Sequence, residues 1–432
     1  IALTVHNGDV VRSSDLGRTW EVGEVVVDGQ KNFLGAIHHD ARSGAFLVTG
    51  QAGIVARSPD GVSWTSQTRA LRGQSRGLLQ DSRVGLITFG SGGMVASSND
   101  SGAHWTTARD PAEAPLREVL AAPRGQALVA TSRLGDLLRS TDAGRSWQVV
   151  TPNYPNPNTP PDLRGLVATP SQDALVAVGP PGAILRGSGD GTEWRVVVWH
   201  EIDAERAFPW VMMDRSRNTL VAVEARGALQ ISRDGGSSWH RRDLPGKLER
   251  GELPFWQGSV LETRGVMLVA GEAGRAARSI DGGETWQIID TGSGENLYGS
   301  FADESTGQLF LAGSRGTLLI SGDGGVTWRG LESGTDQELR RFHRDLRSRA
   351  LLCFGARGAL VVSHDDGRTW TPAASGTEGV LRKTMHEPGT NHLLLVGGQG
   401  TLLRSTDGGR RWEKIDTHTT RHLTSIAADK DS

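Results

Sequence analysis

The sequence predicts an all-β chain made of one four-stranded unit copied along its length. Three observations carry this. The octet Ser-x-Asp-x-Gly-x-x-Trp begins at Ser13, Ser98, Ser140, Ser232, Ser279, Ser321, Ser363 and Ser405. A Gly stands twelve residues before nearly every octet Trp, as Gly400 does before Trp412. Composition agrees: 58 Gly and 13 Trp but only two Tyr among 432 residues, the balance of short strands and tight turns.

Two further copies of the octet are altered. Ser58–Trp64 is one residue short, and Gly187–Trp194 keeps the length with its Asp displaced. The resulting Asp series is Asp15, Asp60, Asp100, Asp142, Asp190, Asp234, Asp281, Asp323, Asp365 and Asp407, with 42 residues in each of the last three intervals. Ser and Asp side chains accept backbone N–H groups a few residues on, Gly permits a left-handed step, and Trp covers the following strand.

The last unit shows the elements in order. Arg382–His386 is an extended run, Leu393–Val396 a second, and Gly397–Gly400 a turn. Thr401–Ser405 is a third run, the octet a second turn, and Trp412–Ile415 a final strand. One such sheet buries neither face alone, so copies must stack, and radial stacking of four-stranded sheets is the β-propeller. The chain starts within a unit, at Ile1–Val5, and ends with an unpartnered first strand near Arg421–Ala427. The expectation is one propeller domain over 1–432, of ten blades, closed by pairing the two terminal strands. Two smaller propellers are the alternative.

The net charge of −2, from 47 basic and 49 acidic residues, removes the electrostatic case for a nucleic-acid binder. One cysteine, Cys353, excludes an intrachain disulfide and a cysteine-rich metal site. It lies in the apolar run Leu351–Phe354 and reads as a small core residue. No apolar run is long enough to span a bilayer. No cofactor or metal is called for.

The octet resembles the Asp-box of bacterial neuraminidase repeats. The longer pattern from Val396 to Trp412 resembles the photosystem II stability/assembly factor-like propellers. The resemblance covers nearly the whole chain and speaks to fold, since the octet is a structural turn in families of differing activity. Ten units depart from the seven of the photosynthetic assembly factors. The number is closer to the sortilin-type receptor propeller, whose cysteine-rich companion is missing. Non-photosynthetic relatives are exported, and some are associated with resistance-nodulation-division transporters. The resemblance therefore implies an exported, periplasmic protein. The chain begins at Ile1 without Met, consistent with a removed signal.

A sialidase-like site needs three Arg, a Tyr nucleophile with a Glu partner, and an acid. Tyr154 sits in a Pro/Asn-rich loop, and Tyr298 has Glu295 nearby. Asp40, Asp81, Asp214, Asp303, Asp345, Glu387 and Asp429 recur near the end of the first strand, which marks turn-formers. His38, His39, His343 and His386 fall near the same place without a ligand motif.

A different position points outward. Near the start of the first strand, six units carry Arg76, Arg117, Arg164, Arg340, Arg382 and Arg421. The others carry Phe33, Phe208 with Trp210, Phe255 with Trp256, and Leu297 with Tyr298. In a propeller this repeated place becomes a rim around the channel. Guanidinium forks and aromatic anchors suit protein docking. Inserts at 151–162, 199–210 and 240–257 emerge on the same face. The function expected is a non-catalytic scaffold that docks a membrane transporter or assembly complex through this rim. A carbohydrate-active enzyme or lectin using the same face is the alternative.

Overall fold

The computed structural model describes every residue except 1, 6–7, 14–18, 41, 68–70, 72, 82–84, 92–93, 108–115, 125–126, 143–145, 170, 181, 201–209, 225–227, 245–254, 346, 387–389, 391, 418–419, 421 and 428–432. Backbone alone is described at 2–5, 52, 67, 76, 79, 81, 210, 255–257 and 424–427. Among these residues every long element is a strand, there is no α-helix, and a few single-turn 3₁₀ segments occupy turns.

The chain forms two compact units, one of Ile1–Asp110 with Glu332–Ser432, the other of Pro111–Leu331. Among the described residues each contains five four-stranded antiparallel sheets of the kind that make propeller blades. Nine of these sheets use four consecutive strands. A representative one runs Leu339–Arg344, Leu351–Gly355, Leu360–Ser363 and Thr371–Pro372. The remaining sheet draws on both ends of the chain: Leu423–Ala427 pairs antiparallel with Ala2–Val5, which continues to Asp9–Arg12 and Glu21–Glu24. A two-stranded hairpin, Val26–Val27 with Gln30–Lys31, was not visible in the repeat pattern.

Burial explains why the middle strands read as unbroken apolar runs. Ala174–Gly179 and Val266–Gly271 are buried at every residue, because adjacent sheets of one unit cover both faces. In the first unit Leu352, Phe354 and Val362 pack on Leu381, Leu393 and Leu395 of the next sheet. In the second, Val176 and Val178 pack on Leu220 and Ala222. Cys353 is fully buried in such a layer, and burial pushes its thiol well up. The fourth strands are short and exposed, as at Arg329–Gly330.

The octet closes the turn between third and fourth strands as its chemistry requires. In Ser363–Trp370, Asp365 Oδ1 accepts from Ser363 Oγ at 2.7 Å, Arg368 N at 3.1 Å and Thr369 N at 3.0 Å. Thr369 Oγ1 donates to Oδ2 at 2.6 Å. Ser363 Oγ accepts the Gly367 N–H at 2.8 Å, and Trp370 Nε1 donates to the Gly367 carbonyl at 3.1 Å. Burial alone would raise the Asp365 carboxyl, but the donors of Thr369, Ser363 and Arg368 outweigh it and hold it down at about 2. In the altered copy Ser188 and Asp190 take these roles, with Trp194 Nε1 on the Gly191 carbonyl at 3.2 Å. That copy is a seven-residue version like Ser58–Trp64, and its Asp is not displaced.

A lock between neighbouring sheets was missed. An Arg ends the third strand just before the octet in several units, as at Arg139 and Arg404. Arg139 Nε donates to the Asp190 carbonyl at 2.7 Å, and Arg186 Nε to the Gly235 carbonyl at 2.8 Å. Each guanidinium therefore caps the octet of the following sheet. Its sequence signal, Arg one or two residues before the octet Ser, was present.

Candidate functional site

The first and second strands meet through a repeated irregularity. Leu339 pairs with Gly355, but Arg341 pairs with Phe354, so Arg340 is an extra residue. The same slip leaves Arg76, Arg117, Trp256, Tyr298 and Arg382 unpaired in their own sheets. The position singled out in the sequence is therefore a β-bulge, a device that re-aims a side chain. Packing of the incoming chain demands it. A Cβ on Gly355 would stand 2.0 Å from the Glu338 carbonyl, so only Gly admits this crossing. Arg164 holds the same place without an extra residue, following buried Leu163 and donating its N–H to the Val178 carbonyl at 2.9 Å.

The cations at this position divide into two kinds. Arg117 grips Asp162 through Nε–Oδ1 and Nη2–Oδ2, both 2.8 Å, and Arg164 Nε reaches Oδ2 at 3.0 Å. Burial works to raise the Asp162 carboxyl, yet the two guanidinium groups bring it below its ordinary value. Arg340 bonds Glu338, two residues back. In the first unit Arg382 is exposed, as are Arg341 and Lys383, on Leu339–Arg344 and Leu381–His386, the first strands of two consecutive sheets. None of these three makes an ion pair among the described residues.

The aromatic members are only partly in view. Tyr298 is half-buried and accepts from Asn296 Nδ2 at 3.3 Å. Phe33 is half-buried, and its carbonyl accepts the Gln51 N–H. Trp210, Phe255 and Trp256 begin their strands, with backbone alone described. Phe208 and Arg421 lie outside the described residues.

Several of the catalytic candidates have local structural partners. Tyr154 is buried and donates to the Gly135 carbonyl at 2.5 Å. Burial, with Asp136 nearby, pushes its hydroxyl far up. Glu295 lies 3.6 Å from Arg315, while Tyr298 is engaged with Asn296. Asp40, Asp214, Asp303 and Asp345 are buried and close turns by accepting from residues two or three ahead. Asp40 and Asp345 also reach the next sheet, through Gln80 Nε2 at 2.9 Å and His386 Nε2 at 2.8 Å. Asp81 has only its backbone described, and Glu387 and Asp429 lie outside the described residues. His38 meets Gln80 Oε1 at 2.8 Å, and His39 packs edge-on against Phe46. His343 and His386 stand 6.3 Å apart.

One cleft was not foreseen. It has a volume of about 370 Å³ and is lined by Asn153, Pro155, Trp194, Arg195, Val196, Val197 and Trp199. Its only sequence signal was Trp199, a Trp outside the octets next to a Val run.

No protein family matches the chain, and no curated protein does. Among solved structures, the chain is similar to YCF48 from Cyanidioschyzon merolae at 15% identity and TM-score 0.41, covering 68% of this chain and 96% of that one. It is similar to the C-terminal WD40 domain of Sif2 at 10% identity and TM-score 0.48, covering 69% and 86%. It is also similar to the GH74 enzyme of Niastella koreensis at 14% identity and TM-score 0.35, covering 94% and 73%.

Proposed function

We propose that the protein is a non-catalytic docking scaffold whose bulged first strands present cations to a protein partner. The observation that carries this is the exposed trio Arg341, Arg382 and Lys383 on the first strands of two consecutive sheets, with Arg382 at the bulge and none of the three in an ion pair among the described residues. The fold needs Gly355 and Gly397 to make the crossing, but it does not need a cation on the bulge: Gly35 serves in another sheet. Arg117 shows the contrasting case of a guanidinium spent on a local acid. A guanidinium fork makes two hydrogen bonds to a carboxylate for one side chain ordered, and neighbouring cations steer encounter.

The partner we propose is a membrane-protein complex outside the cytoplasm, a resistance-nodulation-division transporter being one instance. That class rests on the sequence resemblance of the repeat to assembly-factor propellers. The test is co-purification from the native host of the wild type and of a triple variant, Arg341→Glu, Arg382→Glu and Lys383→Glu. The variant should keep its far-ultraviolet dichroism and melting curve and lose the partner. Capture of the same proteins in the same yield would overturn the proposal.

A further inference from the structure

We propose that the outer edge of the sheet ending in Trp194–Val198 is a strand-addition site for an extended, acid-bearing segment of a protein partner. It is separate from the bulge positions and does not depend on them.

An open sheet edge is a row of unpaired N–H and C=O groups, and folded proteins blunt such edges. This chain does so almost everywhere. Its outer strands are as short as Thr106–Thr107, carry Pro as in Thr371–Pro372, or carry charges as in His240–Arg242 and Glu21–Glu24. Trp194–Val198 departs from that rule in length, although it carries Arg195 and a bulge at Val197. It is the longest outer strand among the described residues, with five residues, and Val196-Val197-Val198 offers no charge and no Pro. No described strand pairs with its outer side.

The edge is flanked by a built cleft rather than open solvent. The Trp194 ring lies over Gly187, where a Cβ would stand 2.6 Å from Cε2. The Trp199 ring packs at 5.7 Å on Tyr154, itself pinned to the Gly135 carbonyl. Asn153 and Pro155 of the 151–162 insert form part of the lining, and the 42-residue units lack that insert. Trp199 Nε1 is a buried donor with no partner among the described residues. Val197, the extra residue where the register slips, also lines the cleft.

The occupant follows from these groups. Alternating backbone donors and acceptors match a peptide main chain in a way that a sugar or a flat apolar ligand does not. The one ionic lining group is Arg195, tied by Nη2 to the Ser237 carbonyl at 3.1 Å, and no carboxylate lines the cleft. Charge complementarity therefore selects a segment with an Asp or Glu among β-branched residues.

The experiment pans a phage-displayed random dodecapeptide library on the full chain and measures enriched peptides by fluorescence anisotropy. Enriched sequences should alternate β-branched residues and carry an acid. Val197→Lys and Trp199→Ala, each assayed at a temperature where far-ultraviolet dichroism shows the variant folded, should raise Kd at least tenfold, and N-methylation of alternate peptide amides should abolish binding. Arg382→Glu should leave Kd unchanged, which separates this site from the bulge cations. The proposal is overturned if no enriched peptide responds to Val197→Lys. It is equally overturned if sedimentation shows a dimer that Val197→Lys dissociates, since the edge is then occupied by a second copy of the chain.

Discussion

Removing one octet carboxylate should cost a definite and pH-dependent amount of stability. In Asp365→Ala, Ser363 Oγ, the Arg368 and Thr369 N–H groups and Thr369 Oγ1 lose their acceptor. The carboxyl is held at about 2, against an ordinary 3.8. At full value that difference is about 2.4 kcal/mol. The group is partly solvated, and water replaces the bonds to the exposed N–H groups, so screening leaves about 1.2 kcal/mol. Ser363 keeps its bond to the Gly367 N–H, which preserves the turn in the variant. Equilibrium urea unfolding read by Trp fluorescence should show a lower midpoint with an unchanged slope. The sign with pH is fixed: a depressed folded-state carboxyl contributes fully above about pH 4 and loses that contribution as pH falls toward about 2. The gap between wild type and variant should therefore close on acidification. A midpoint equal to wild type at neutral pH, or a gap that does not change with pH, would refute the turn account.

Three further outcomes follow from other sites. Gly274→Ala should lose more than about 3 kcal/mol, because φ is +71° and a Cβ would stand 1.6 Å from the Ser293 carbonyl. Gly292→Ala, at φ +68° with nothing within 4 Å, should lose only about 1 kcal/mol in the same melts. His343 should make the wild type acid-sensitive. Burial, then neighbouring His386, lowers its basicity against the pull of Asp345. The unfolded chain therefore binds the proton more readily, and stability present above about pH 6.5 falls below it. His343→Gln should flatten that slope between about pH 5 and pH 7, and an unchanged slope would count against the buried imidazole.

The bulge positions show where sequence reading reached and where it stopped. The recurrence of Arg382, Arg340 and Arg117 was visible because a repeat places equivalent residues at equivalent sites. Their different fates were not. Arg117 meets Asp162, 45 residues away, across two sheets, while Arg382 meets no acid among the described residues. The cleft beside Trp199 was equally hidden, since Asn153 and Pro155 approach from another connector.

By itself the sequence determined the unit: which runs are strands, which turn the octet closes, and that Gly must stand where a chain crosses. Those are local matters of backbone geometry and of hydrogen bonds spanning a few residues. Tertiary structure alone decided which guanidinium is consumed by a distant carboxylate, which outer edge lies beside a cleft, and which tyrosine is an anchor. Each depends on groups brought together from separate sheets, and their burial and charge pairing are fixed only once those sheets pack.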